Sequence, residues 1–178
     1  DTNPFPAAKL GLLANRVYEQ CDAKDGLKDG LIDDPRQCNF NPARDLPNCA
    51  EGTDQADCFT KDQIKAVERI YGDVMSQGKR FFPGWPVGAE VAGPNGQSGW
   101  IGQQINGPNG AGAWTSYGAN FLRFVAPGAK AGDLNLDPIS LFRQFDIDKD
   151  PVRMDELHQI LDATDTDAAV LVGLCGDG

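Results

Sequence analysis

Between Cys21 and Cys38 the chain reads "CDAKDGLKDGLIDDPRQC". Five aspartates, Asp22, Asp25, Asp29, Asp33 and Asp34, crowd into this stretch, with glycines at Gly26 and Gly30 between them. Such a run of like charge and glycine disfavours an extended helix or strand. It must be a tight loop, and its carboxylates repel one another unless something positive sits among them. Hard cations such as Ca²⁺ take carboxylate and main-chain carbonyl oxygens from loops of this kind. Asp22, Asp25 and Asp29 supply carboxylates, and the two glycines let the main chain turn back. Acidic runs are most often solvated turns. Here the glycine spacing and the flanking cysteines favour a cation.

The loop is not an EF-hand. Counting from Asp25, the fifth and sixth places are Asp29 and Gly30, as that motif requires. The third is Leu27, however, and the twelfth is Arg36 where a bidentate Glu belongs. A different loop, with Asp22 recruited from upstream, fits better.

The cysteines bear on the compartment. The chain has five, Cys21, Cys38, Cys49, Cys58 and Cys175, with no CxxC and a single histidine, His158. A zinc site of the usual spacing is therefore not expected. Cys21/Cys38 and Cys49/Cys58 are close pairs bracketing Asp-, Pro- and Gly-rich loops, and they read as disulfides of an oxidising compartment. The expected location is secreted or periplasmic. The first residues, "DTNPFPAAKL", lack a basic segment followed by a long apolar one, so no signal peptide is expected within the chain. No apolar run reaches the roughly 18–20 residues of a membrane span. The formal net charge of -10 disfavours nucleic acid and anionic lipid as partners.

With 178 residues, 21 of them Gly and 12 Pro, one turn-rich domain of mainly α, irregular architecture with few short strands is expected. Pro6 to Gln20 reads as a helix starting at Pro6, with Leu10, Leu13, Ala14 and Val17 on its apolar face. "NPARDLPNCAEGTDQADC" has no periodicity. In "CFTKDQIKAVERIYG", Thr60 and Gln63 make a capping box, Phe59 and Ile64 a hydrophobic staple, and Gly72 a stop. Ile64, Val67, Ile70 and Tyr71 form the buried face. "GPNGQSGW" and "GPNGAGAW" echo each other as turns, each followed by an aromatic anchor, Trp100 and Trp114. "TSYGANFLRFV" is compatible with helix or strand. Asp137 and Pro138 start a short helix burying Ile139, Phe142 and Phe145, and Asp150 and Pro151 start another.

"PAAKL", "CDAKDGLKDGLIDDPRQCNFNP", "CFTKDQIKAVERIYG", "FFPGWPVGAE" and "FDIDKDP" together resemble the lid domain of the tannase and feruloyl esterase family. The resemblance runs from about Pro6 to Asp167. It implies a lid over residues 1–167, an insertion lying over the active site of an α/β-hydrolase and shaping its choice of aromatic ester. It implies a calcium ion held by the carboxylates of Asp22, Asp25 and Asp29 and the carbonyls of Leu27 and Leu31. It also implies disulfides Cys21–Cys38 and Cys49–Cys58. The Ser–Asp–His triad would belong to a partner catalytic domain. Phe121, Arg123 and Phe124 fall where such a lid approaches the acyl group. Residues 168–178, "AAVLVGLCGDG", depart from the pattern and are expected to form an anomalous tail holding Cys175.

No residues here complete a catalytic set. The nearest approach to G-x-S-x-G is "GQSGW", with Trp100 in the last glycine place. His158 reads as a surface or helix-face histidine, so the chain alone is expected to be inactive. A stand-alone secreted calcium-binding module that engages carbohydrate or protein is the alternative reading.

Overall fold

The computed structural model describes residues 5–93, 99–101, 103–105, 113–125 and 136–151. Those residues are mainly helical, with one two-stranded sheet and two disulfides. The chain divides into two compact units, Asp1–Tyr117 and Gly118–Gly178.

In the first unit Pro6 does not open the α-helix, as expected from sequence. It is the extended cap of a 3₁₀ turn, Ala7–Lys9, and helix α1 begins one residue later, at Leu10–Cys21. Its buried residues include the expected Leu10, Leu13, Ala14 and Val17, and also Cys21. A short helix α2, Pro42–Asp45, interrupts the segment expected to be irregular. Asn41 caps it, accepting from the Arg44 amide, and Pro42 takes its first turn. Helix α3, Lys61–Tyr71, has the full capping box. The Gln63 amide donates to Thr60 Oγ1 and the Thr60 amide donates to Gln63 Oε1, at 3.2 and 3.0 Å. Phe59 and Ile64, the staple residues, are both buried. The helix ends at Gly72, whose amide donates to the Glu68 carbonyl at 2.8 Å.

Strands β1, Val74–Ser76, and β2, Lys79–Phe82, follow as an antiparallel hairpin. Gln77 and Gly78 join them, both with positive φ, the backbone of a tight primed turn. The sequence reading anticipated few short strands without placing this pair.

The core of the unit is Phe5, Leu10, Leu13, Val17, Leu46, Phe59, Ile64, Val67, Trp100 and Ile105. Phe5 stacks on Phe59 at 5.9 Å between ring centroids, and Trp100 meets Phe5 and Tyr71 edge-on. Trp100 is thus the aromatic anchor its turn foretold. The side chain of Trp114 and most of both Gly-Pro-Asn-Gly turns lie outside the described residues, as do His158, Cys175 and the helix expected after Pro151.

Helix α4, Ala113–Asn120, continues into a π-helical turn, Phe121–Val125, resolving the helix-or-strand ambiguity of that stretch. In the second unit α5, Pro138–Gln144, starts as foreseen. Asp137 Oδ1 accepts from the amides of Ile139 and Ser140, and Pro138 takes the first turn. Its burial was misassigned. Leu141 is the buried residue, Ile139 is exposed, and Phe142 and Phe145 are half-buried. The helix stops at Gln144, so a stripe at every third residue never completes, and Leu141 takes the inner position.

The expected pairs Cys21–Cys38 and Cys49–Cys58 are disulfides. Loops of 17 and 9 residues closed in this way are each worth roughly 2–3 kcal/mol by chain entropy. Thiol titration of the unfolded, unreduced protein should find one free thiol. Five would place the protein in a reducing compartment and remove both staples.

Candidate functional site

The acidic loop starts where α1 ends. Cys21 is buried and tied to Cys38, so the last turn of α1 and the far end of the loop are covalently joined. Asp22 to Asp25 wind one 3₁₀ turn, and Gly26, at φ 99°, reverses the chain; Gly30, at φ 81°, does so again. A Cβ atom is disfavoured in this left-handed region, which is why glycine stands at both bends.

The three candidate carboxylates adopt related geometry. Asp22 is buried, and its Oδ1 accepts from the Gly30 amide at 2.9 Å, closing the loop across eight residues. Asp25 Oδ1 accepts from the Leu27 amide at 2.9 Å, and Asp29 Oδ1 from the Leu31 amide at 3.1 Å. The last two are Asx turns that present the main chain of Leu27 and Leu31 at the bends. Both leucine side chains are exposed, so neither position serves the core.

The remaining acids of the loop behave differently. Asp34 grips Arg36 through both carboxylate oxygens, at 2.7 and 3.0 Å, and also accepts from Gln37. The Arg36 hydrogen bond is the main reason its carboxyl is held well below the usual carboxylate range. Among the described residues no Lys or Arg pairs with Asp22, Asp25 or Asp29.

The donors suit calcium in kind, being hard oxygens on a glycine-bent, stapled loop. Their arrangement is another matter. Among the described residues no three His, Cys, Asp or Glu side chains converge closely enough to hold a metal. One oxygen of each carboxylate is turned onto the main chain instead. A cavity of about 240 Å³ beside the staple is lined by Asp25, Asp33, Asp34, Lys24, Gln37 and Ile32 with the two cysteines, and shares only Asp25 with the candidate set.

Two buried polar features support this region, and sequence reasoning passed over both. Lys9 is only 5% exposed. Its ammonium donates to Asp54 Oδ1, to the Cys58 carbonyl at 2.6 Å and to Gln63 Oε1 at 3.0 Å, while lying 5.7 Å from the Phe59 ring centre. All three of its protons are used. Gln63 Nε2 in turn donates to Asp54, so the capping box of α3 is wired to the Cys49–Cys58 loop.

Glu90 is fully buried. Its Oε1 accepts from Tyr71 Oη at 2.6 Å and from the Gly88 amide at 2.8 Å, and its Oε2 has no hydrogen-bond partner among the described residues. Tyr18 Oη donates to the Gly88 carbonyl at 3.1 Å. Burial, and then the charge of Glu90, pushes the Tyr71 hydroxyl far above its usual range. Tyr18 is raised by burial first and then by the charges of Glu90 and Asp22. In the sequence the signals for these features were a lysine just ahead of an apolar helix face and an acid in a segment between Gly88 and Gly93.

The three residues expected to face substrate lie on the π-helical turn. Phe121 and Phe124 are exposed. Arg123 is a brace: one Nη donates to Asn120 Oδ1 at 3.3 Å, the other to the Leu136 carbonyl, and its Nε is buried without a hydrogen-bond partner among the described residues.

A family model described as tannase and feruloyl esterase matches residues 2–174. The mono(2-hydroxyethyl) terephthalate hydrolase of Piscinibacter sakaiensis is 32% identical over 114 residues, covering 55% of this chain and 19% of that protein. A probable feruloyl esterase B of Emericella nidulans is 33% identical over 91 residues, 48% of this chain and 17% of that one. Among solved structures, feruloyl esterase B from Aspergillus oryzae superposes with a TM-score of 0.63 at 20% identity, over 89% of this chain and 28% of that one. Another esterase from the same organism gives 0.61 at 21%, over 88% and 27%. The chain thus spans about a fifth of the length of the curated relatives it matches.

Proposed function

This chain belongs to the tannase and feruloyl esterase family, and from that premise we propose that it acts as the calcium-held lid of an aromatic carboxylic-ester hydrolase. The lid comprises residues 1–167. The observation that carries the reading is a family match along nearly the whole chain, set against a span of only 14–28% of its relatives. A helical, loop-rich piece of an esterase is suited to covering a site rather than to performing the acyl transfer.

The chemistry belongs to a catalytic body with a Ser–Asp–His triad. Acyl transfer needs an activated serine, a base within hydrogen-bond reach and preorganised oxyanion donors. The lid's share is to exclude water and to hold the aromatic acyl group. Phe121 and Phe124 offer ring faces for that purpose, and Arg123 fixes the turn that carries them. The purified chain should turn over none of methyl ferulate, methyl gallate or p-nitrophenyl acetate. Activity should appear when it replaces the matching segment of a family esterase. Turnover by the chain alone that disappears in His158→Ala would overturn the lid reading.

Calcium is the proposed cofactor, held by Asp22, Asp25 and Asp29 with the carbonyls of Leu27 and Leu31. Bound there, it would neutralise three carboxylates that no Lys or Arg among the described residues pairs with. Removing it with a chelator should lower the melting temperature. At a hundredfold excess over Kd the ion contributes about 2.7 kcal/mol. Asp25→Asn is the discriminating variant, because its amide oxygen still accepts from the Leu27 amide while the charge is gone. It should keep the turn and lose the chelator response. A melting temperature indifferent to both chelator and added Ca²⁺ would remove calcium from the proposal. Two disulfides suit an oxidising compartment, so the protein is proposed to work outside the cytoplasm. Among the described residues no helix is long and apolar enough to cross a membrane.

A further inference from the structure

The hairpin after α3 is built with its apolar side chains outward. Val74, Met75, Phe81, Phe82 and Trp85 are each between 41% and 54% exposed. Val74 and Phe82 are register partners and hence direct cross-strand neighbours. The register slips between Val74 and Met75, so Phe81 is left over opposite them. Such a bulge breaks strand alternation, and both phenylalanines are exposed side by side.

A two-stranded ribbon of three and four residues is marginal by itself. This one is nonetheless pinned through its main chain. The Trp85 amide donates to the Ile70 carbonyl at 2.9 Å, and the Gly84 amide to Asp73 Oδ1 at 3.3 Å. Gly84 lies so close to the end of α3 that a Cβ there would fall 1.9 Å from the Tyr71 carbonyl oxygen. The backbone is fixed on the core, therefore, while the large side chains are not buried by it. A backbone already fixed in place loses little further conformational entropy when the groups it carries are bound.

We propose that this hairpin and the Pro-Gly-Trp turn after it are the surface on which the lid docks against the catalytic body of its esterase. The inference rests on the lid reading above. Size and span choose the occupant. Three half-exposed aromatic rings, a valine and a methionine leave on the order of 400 Å² of apolar surface uncovered. A patch of that extent ranks with the largest that a typical monomer exposes, and such patches are often functional. A small aromatic ester would cover only part of it. The relatives supply a larger partner, because this chain matches only 27–28% of the two solved esterases and the rest of each is protein outside the match. Arg80 is ion-paired with Asp73 at 3.9 Å, which leaves Lys79 as the basic group at the hairpin's tip in a chain of net charge -10, so the facing surface should be apolar with an acidic group at its rim.

Hydroxyl-radical footprinting tests the proposal. The chain alone is compared with a chimera in which it replaces the matching segment of the Aspergillus oryzae feruloyl esterase B. Oxidation of Met75, Phe81, Phe82 and Trp85 should fall several-fold in the chimera. In parallel, Phe82→Lys with Trp85→Lys should lower the melting temperature of the chimera and leave that of the chain alone unchanged. A chimera that hydrolyses ester while the patch stays reactive overturns the docking surface and keeps the lid. An inactive chimera whose parts melt separately, with the patch still reactive, overturns both. Protection in the chain alone that grows with concentration assigns the patch to a second copy and also overturns the proposal.

Discussion

Phe59→Ala should cost about 3–5 kcal/mol of stability, the range for deleting a fully buried ring. Phe59 is completely buried. It stacks on Phe5, closes the staple with Ile64 and lies under the Lys9 ammonium. Its main chain also matters. The Phe59 amide donates to the Pro47 carbonyl at 2.8 Å, and the Phe59 carbonyl accepts from the Cys49 amide at 2.9 Å. Those bonds fix the backbone at this position, so the cavity left by alanine cannot easily collapse. Phe59→Leu should restore most of the loss and fall short by about 1 kcal/mol, the worth of the ring contacts. Urea unfolding followed by near-ultraviolet circular dichroism measures both. A cost below about 1 kcal/mol for alanine would mean that the helices are not organised around this ring.

Lys9→Met should cost about 2–3 kcal/mol, although the volume is nearly kept, because the change strands acceptors that a cation had satisfied. The Cys58 carbonyl and Gln63 Oε1 are the buried ones. Asp54 is half exposed and returns to water, so its ion pair adds little. The variant should also alter the acid limb. The Lys9 hydrogen bond, followed by that from Gln63, holds the Asp54 carboxyl below its ordinary value of 3.8. A depressed folded-state value means that the unfolded chain binds the extra proton. The associated stability is therefore complete above pH 3.8 and fades as pH falls through the lower folded value. Lys9→Met should flatten the loss of stability with acid in that window. An unchanged acid slope would show that Lys9 and Asp54 are not coupled in solution.

The two changes meet at the Cys49–Cys58 loop, where α1, α3 and the disulfide are held by one ring and one ammonium. This explains how a turn-rich chain keeps its acidic loop mounted on something rigid. Cys21, at the foot of that loop, is the last residue of the same α1 that carries Lys9 through its preceding turn.

Much of this was legible in the sequence because it is local. A capping box needs only residues three apart, and Thr60 and Gln63 form it. Asp137 before Pro138 starts a helix for equally local reasons. The face of α1 followed from 3.6-residue periodicity, and the disulfides joined cysteines that were already neighbours along the chain. The acidic loop announced its bends through glycine, and both glycines have the left-handed φ that makes them necessary. What the residue types could not convey was distance across the chain. Lys9 finds Asp54 and Gln63 only after folding, 45 and 54 residues away, and a lysine read alone belongs in water. Glu90 Oε1 is satisfied in its burial by the nearby Gly88 amide and by the Tyr71 hydroxyl, 19 residues away, which only packing brings to it. The hairpin between Val74 and Phe82 is too short for alternation to stand out, and its outward rings are visible only once the core is known to lie elsewhere. Sequence determined the turns, caps and covalent staples, whose partners lie within 17 residues of one another along the chain; tertiary structure alone decided which polar groups are buried and which apolar ones are left exposed, because both depend on long-range packing that no local pattern encodes.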